Sequence, residues 1–338
     1  MKIKKVLNHT FTVLIYSWVG LQFFSCSPDI QKVKENELAT RLQSTWQELK
    51  KDNLIHGSIL IQKGSEVLYA DGDLNKVFPV ASISKSFVGL IYFHKSQQGL
   101  KLDSPVCHWL KNFCTGDLRK ITLQQLLDHN SGFGRDLSLI SFLKRSMSAD
   151  WNLQDIDTLA LDDEDLKSAP GEKFVYSNFG YLVLSRVLEV IEQKNFSQIL
   201  QEHAPASTTA AIQKGDRLPA YALVPGSSIQ WELNKESTLY KSAGAGGIKS
   251  SALDLMRWLG QQQQTLPKLN KDKHYSLGWV RSEKQSYQAY WHNGATPGFY
   301  SLVAVIPESD LKIVILTDNY KFIKHWSDRA EAFEQYLY

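Results

Sequence analysis

The stretch "FPVASISKSF" (residues 78–87) places Ser82, Ser84 and Lys85, with Ser86 after them, inside a largely apolar decapeptide. A helix opening at or just after Ser82 sets Ser82 and Lys85 on one face of its first turn and points Ser84 elsewhere. Beside a serine in an apolar setting, a lysine tends to lose its proton, because burial disfavours the charged amine. The neutral amine can then take the serine's proton, and the helix N-terminus stabilises negative charge growing on the hydroxyl oxygen. Short S-x-x-K runs also arise by chance, as a capping serine followed by a surface lysine, so the rest of the chain must decide.

The chain has 338 residues, 43% of them hydrophobic and 22% charged, which describes an ordinary globular protein with ample apolar surface to bury. Its net charge of +3 comes from the start. Lys2, Lys4 and Lys5 precede an uncharged apolar stretch from Phe11 to Phe24, the layout of a secretory signal and too short and interrupted for a comfortable membrane span. Without those three lysines the chain carries 35 basic and 35 acidic side chains, so no nucleic-acid surface is expected. The signal is read as residues 1–25, ending at "FFSCSPD" (residues 23–29). That site resembles a bacterial lipoprotein cleavage site, which implies lipidation of Cys26, a membrane anchor and a place in the periplasm or cell envelope. Cleavage after Ser27 is the rival, and it would leave Pro28 first. Cys107 and Cys114 lie in an exported chain where oxidation is permitted. On a continuous helix their Cα atoms would stand about 10 Å apart, beyond disulfide reach, so a bridge requires a loop; two unpaired, packed cysteines are the alternative.

Residues 30–51 carry Leu38, Leu42, Trp46 and Leu49 at helical spacing. "GSILIQ" (57–62) and "EVLYA" (66–70), joined by Lys63, Gly64 and Ser65, read as a β-hairpin. Towards the other end "YSLGWV" (275–280), "YQAYWH" (287–292), "YSLVAVIP" (300–307) and "KIVILT" (312–317) read as strands, and residues 326–338 as a closing helix. The segment from about 121 to 260 is mostly helical in pattern: "TLQQLLDHN" (122–130) runs into Ser131-Gly132, residues 178–193 form a long amphipathic run, and "SSALDLMRWLG" (250–260) opens on capping serines and closes on Gly260. The fold class is therefore α+β: an antiparallel β-sheet flanked by helices, with an inserted helical subdomain. Residues 26–338 are read as one domain, most simply a monomer, with a ligand site at the seam.

Two further motifs join the first: "APGEKFVYSNFGY" (169–181), with Tyr176, Ser177 and Asn178 before a long helix, and "YWHNGATPGFYSLVAVIPE" (290–308), with His292, Asn293 and Gly294 between strands. With S-I-S-K, Y-S-N and H-N-G in this order, the chain resembles the serine β-lactamase and penicillin-binding-protein superfamily, specifically its class C branch of D-alanyl-D-alanine carboxypeptidases and esterases. "LDSPV" (102–106), "ITLQQLLDHNSGF" (121–133) and "AGAGGIKSSALDLMRW" (243–258) extend the likeness from about Gly57 to Asn319. The resemblance implies a β-lactamase/transpeptidase-like fold and an acyl-enzyme mechanism without a cofactor.

Residue by residue, the resemblance makes Ser82 the nucleophile, Lys85 its activator, Tyr176 the general base or proton shuttle, and Asn178 an amide that binds substrate and steadies the lysine. His292 takes the place of a lysine found in most β-lactamases. Asn293 and Gly294 line the substrate strand, where Gly294 is expected to let a substrate approach, and the backbone N–H groups of Ser82 and Ala295 form the oxyanion hole. Taken alone, a Tyr-x-Asn is usually a capped helix start and a strand-end histidine a satisfied structural group. His129 reads as structural, and "GAGG" at 244–247 lacks the partners of a phosphate loop. No His and Cys spacing suits a metal.

The expected substrate is a small or peptide-like ester or amide. D-alanyl-D-alanine carboxypeptidase, class C-type β-lactamase and a non-catalytic β-lactam- or peptidoglycan-binding sensor stay open. Where carboxypeptidases show His-Thr-Gly-Thr this chain has His292-Asn293-Gly294-Ala295, so a substrate carboxylate is expected to be held about ten- to hundred-fold more weakly.

Overall fold

The computed structural model describes residues 28–51, 56–135, 152–204, 209–216, 220–223, 230–233, 239–263, 265–269, 272–284, 287–296 and 298–317. The signal segment, Cys26 and the closing helix over 326–338 lie outside the described residues.

Helix α1 (Pro28–Lys51) leads to the hairpin of β1 (Gly57–Lys63) and β2 (Glu66–Asp71). At the far end of the chain come β8 (Tyr275–Ser276), β9 (Trp279–Lys284), β10 (Tyr287–Thr296), β11 (Phe299–Ile306) and β12 (Leu311–Thr317). These form one antiparallel sheet in the order β2-β1-β12-β11-β10-β9-β8, so the two ends of the sequence meet where Gly57 pairs with Thr317.

Both faces of the central strands are buried, which is why they read as nearly unbroken apolar runs. Ile59, Ile61, Leu302, Ala304, Ile313 and Ile315 pack against Leu38, Leu42, Trp46 and Leu49 of α1. Their neighbours one residue along, Leu60, Val303, Val305, Val314 and Leu316, enter the larger core on the opposite face. Trp46 Nε1–H donates to Asp71 Oδ2 at 2.6 Å, tying α1 to the edge strand.

The larger core is built on α2 (Ser84–Gln97), the short α3 (Leu123–Leu127), α4 (Asn178–Glu192), α5 (Phe196–His203), the four-residue α6 (Ala243–Gly246) and α7 (Ala252–Gln262). Thr122 and Gln125 close a reciprocal cap on α3, and Ser251 caps α7. Helix α7 runs two residues beyond the expected stop at Gly260, which is exposed with open space around it and nothing to terminate the helix.

The expected helical insertion over about 121–260 also carries strands. Among the described residues β3 (Val77–Pro79), β7 (Ile248–Ser251) and β4 (Ala210–Ala211) form a small sheet, and β5 (Ala220–Leu223) pairs with β6 (Gln230–Leu233). Strands of two to four residues are too short to show alternation in sequence. "YSLGWV" is likewise two strands, β8 and β9, because Leu277 and Gly278 turn with φ of 51° and 81°. A Cβ on Gly278 would lie 2.4 Å from the Lys85 carbonyl oxygen, so this turn sits directly on the start of α2. Cys107 and Cys114 occupy successive 3₁₀ turns, Val106–His108 and Lys111–Phe113 with its capping residue, with Cα atoms 4.9 Å apart and their sulfurs bonded.

Candidate active site

Strand β3 delivers the chain into a 3₁₀ turn, Ala81–Ile83, that continues into α2. Ala81 holds φ at 45°, a left-handed conformation that a residue with a side chain adopts under strain. Bonds to β7 hold the strained turn in place. Val80 N–H donates to the Ile248 carbonyl at 2.9 Å, and Ile248 N–H donates to Ser84 Oγ at 3.1 Å. Ser84 is thus buried and used by the fold, off the Ser82–Lys85 face. Ser82 is half-buried, while Lys85 is fully buried. Lys85 Nζ donates to Ser82 Oγ at 3.2 Å and to the Ala245 carbonyl of α6 at 2.6 Å. The glycine-rich segment therefore has a packing role and delivers a carbonyl to the lysine.

Lys85 Nζ also stands 5.0 Å from the centre of the Tyr176 ring and 5.7 Å from that of Tyr181. Arg135 lies near Tyr176 as well, its guanidinium carbon 5.5 Å from the ring centre. The Tyr176 segment is moulded on His129, whose φ of 57° turns the chain sharply. The His129 carbonyl accepts Val175 N–H at 2.7 Å, its Nδ1 accepts Ser177 N–H at 3.1 Å, and its ring lies 4.3 Å from that of Tyr176. An accepting Nδ1 leaves the proton on Nε2. Burial, then the charges of Lys85 and His292, holds the His129 pKa well below the usual imidazole value. Asn178 opens α4, its N–H donating to the Arg135 carbonyl at 2.7 Å, while Ser177 Oγ caps the helix by accepting Gly180 N–H at 3.1 Å. The Tyr-x-Asn run is thus a capped helix start and also a part of this cluster.

The third motif extends a strand that the sequence pattern ends at His292. Strand β10 runs four residues further, through Asn293, Gly294, Ala295 and Thr296. Asn and Gly are poor strand formers, but β11 pairs with this stretch, Gly294 opposite Ser301 and Ala295 opposite Tyr300. Pairing with β9 ends at Trp291, so the outer edge of His292–Thr296 has no partner strand among the described residues. Strand β10 packs against the turn that bears Ser82. Gly294 serves that approach within the fold. A Cβ there would lie 2.2 Å from the Val80 carbonyl oxygen and 3.0 Å from Ala81 Cβ. Asn293 is half-buried and Ala295 exposed.

His292 is buried, its Nδ1 2.6 Å from the Asn293 carbonyl oxygen and its Nε2 3.1 Å from the Tyr275 hydroxyl. Burial, reinforced by the charge of Lys85, lowers its pKa to about 3. Near neutral pH it carries no charge and cannot stand in for a lysine. Sequence reading passed over Tyr275 as the first residue of a strand, and it passed over Arg135, Tyr181 and Asp128 altogether. Asp128 accepts Ser276 Oγ at 3.0 Å and Gln124 Nε2 at 2.8 Å and pairs with Lys273, which anchors β8 beside the cluster.

The sequence profile described as Beta-lactamase matches residues 57–332. The chain belongs to the Beta-lactamase family. The family is generally one of serine hydrolases. The chain is 24% identical over 311 residues to Protein flp of Staphylococcus aureus (strain MW2), across 80% of this chain and 61% of that protein. It thus spans about three fifths of that relative's length. Penicillin-binding protein 4* of Bacillus subtilis (strain 168) is 22% identical over 317 residues, across 80% of this chain and 69% of that one. Among solved structures, the octameric penicillin-binding protein homologue from Pyrococcus abyssi superposes with a TM-score of 0.68 at 20% identity, covering 83% of this chain and 73% of that one. A D-amino acid amidase from Ochrobactrum anthropi SV3, complexed with D-phenylalanine, gives 0.64 at 17%, covering 84% and 91%. These likenesses agree on a mixed fold of helices and antiparallel sheet.

Proposed function

We propose that this family member is an exported serine hydrolase of the class C type that forms an acyl-enzyme on Ser82 and hydrolyses an ester or an amide, peptide-like bond. One observation carries the reading: a fully buried Lys85 places Nζ 3.2 Å from Oγ of a half-buried Ser82. Ser82 Oγ attacks the carbonyl carbon while Lys85, in its neutral form, takes the hydroxyl proton. The new oxyanion is held by the backbone N–H groups of Ser82 and Ala295, worth about 3 kcal/mol for each donor. Tyr176 relays the proton to the departing alcohol or amine as the C–O or C–N bond breaks, and Asn178 and Asn293 bind the substrate. Water then attacks the ester on Ser82, returning the hydroxyl and releasing the acid, with no cofactor.

Penicillin-binding protein and D-amino acid amidase stand among the relatives' names, which favours a peptide-like substrate. Export is supported by the Cys107–Cys114 bond, which suits an oxidising compartment, and by the signal-like residues ahead of Cys26, through which we place the protein on a membrane by a lipid anchor. The test is Ser82→Ala: it should fold as the wild type does and lose covalent labelling by fluorophosphonate or a reporter β-lactam. Undiminished labelling of the folded variant rejects the assignment. Intact-mass timing of the wild-type adduct separates the readings: rapid release of β-lactam means lactamase, a lasting adduct peptidase or sensor, and labelling by fluorophosphonate alone an esterase.

A further inference from the structure

Beyond Trp291 strand β10 has lost β9, yet the edge of His292–Thr296 must hold still beside Ser82 if its amides are to meet an oxyanion. Two side chains take the place of the missing strand. A carbonyl oxygen only accepts, so at 2.6 Å from the Asn293 carbonyl His292 Nδ1 carries the proton. Nε2 is then the acceptor, and the Tyr275 hydroxyl 3.1 Å away donates to it. The Tyr181 hydroxyl, close by, donates to the Leu127 carbonyl at 2.9 Å, and its oxygen is a second acceptor within reach of Tyr275. Tyr275 is itself held firmly: buried, with its ring 4.6 Å from His129 and edge-on to Tyr176 at 6.3 Å, and followed by Ser276 on Asp128. Burial keeps the phenol protonated and the imidazole neutral, and a Tyr275 O–H directed at Nε2 satisfies both ring nitrogens of His292.

We propose that Tyr275 is a positioning residue: by donating to His292 Nε2 it fixes the Nδ1–H tautomer, whose bond to the Asn293 carbonyl orients the open edge of β10 and the Ala295 N–H that follows. Along a strand the Asn293 carbonyl and the Ala295 N–H face the same edge, so fixing one peptide plane aims the other. The proposal rests on the hydrolase reading above and adds a residue that acts through His292 without touching substrate.

Nitrogen NMR of the full chain with labelled histidines, assigned with His292→Gln, reads the tautomer directly. A protonated Nδ1 and a bare Nε2 on His292 are expected in the wild type, with the preference weakened in Tyr275→Phe, where the Asn293 carbonyl alone holds the proton. Fluorophosphonate labelling of Ser82 should slow about tenfold in Tyr275→Phe, the effect of one lost hydrogen bond. A wild-type proton on Nε2 overturns the proposal even where Tyr275→Phe fails to fold, and so does a folded Tyr275→Phe that labels at the wild-type rate. A wild type that takes no label overturns the hydrolase reading instead, and the positioning role falls with it.

Discussion

Replacing Gly294 with alanine adds one methyl group where the substrate edge meets the nucleophile's turn. Its carbon would lie 2.2 Å from the Val80 carbonyl oxygen, 2.5 Å from Ser301 Oγ and 3.0 Å from Ala81 Cβ. Ordinary contacts begin near 3.5 Å, so β10 and the turn must part by about 1 Å. The nearest atom is backbone and cannot swing aside. Ser301 Oγ is committed as well, donating to the same Val80 carbonyl at 2.8 Å. Overpacking of this kind costs about 1–3 kcal/mol of stability. A shift of about 1 Å in groups that meet the reacting atoms costs about a hundredfold in rate. Gly294→Ala should therefore fold with a lowered urea midpoint and acylate about a hundred times more slowly, followed by intact mass during fluorophosphonate labelling. A variant that labels within threefold of the wild type with an unchanged midpoint would show that this close approach does not set the geometry of attack.

Ser84→Ala should separate the two serines of the opening motif. It strands the buried Ile248 N–H and costs about 1–3 kcal/mol in a denaturant melt, while labelling of Ser82 persists; loss of labelling in the folded variant would contradict the division of roles. Acid should destabilise the protein early. The pKa of His292 in the fold is about 3, below its unfolded value of 6.5, and that of His129 is also lowered. Below pH 6.5 the unfolded chain binds protons that the fold refuses, so stability is full above that value and declines as pH falls towards about 3. Each histidine contributes a slope of about 1.4 kcal/mol per pH unit, partly offset by Glu189, whose raised pKa acts in the opposite sense. Urea midpoints that stay flat from about pH 6 to pH 4.5 would contradict the burial of these imidazoles.

The sheet and its helices were legible in the sequence because burial on two faces leaves a local signature. Ile59 to Ile61 and Ile313 to Leu316 are apolar at every position, and Leu38, Leu42, Trp46 and Leu49 repeat at helical spacing, so element type follows from composition and period alone. Ser82 and Lys85 were equally legible, since three residues on a helix start are neighbours in any fold, and their bond needs only that local geometry. What the sequence left open depends on contacts between distant segments. His129, Tyr275 and His292 stand far apart along the chain and meet because Asp128 anchors β8 beside the end of α3. The same kind of distance hid the continuation of β10 through Asn293 and Gly294, whose strand form comes from pairing with β11 and not from propensity. The charge of His292 was undecided too, because an imidazole that titrates near 6.5 in water is neutral here through burial and the nearby Lys85. Local spacing names the residues that do chemistry; only the tertiary structure sets the dielectric and the approach distances in which they do it.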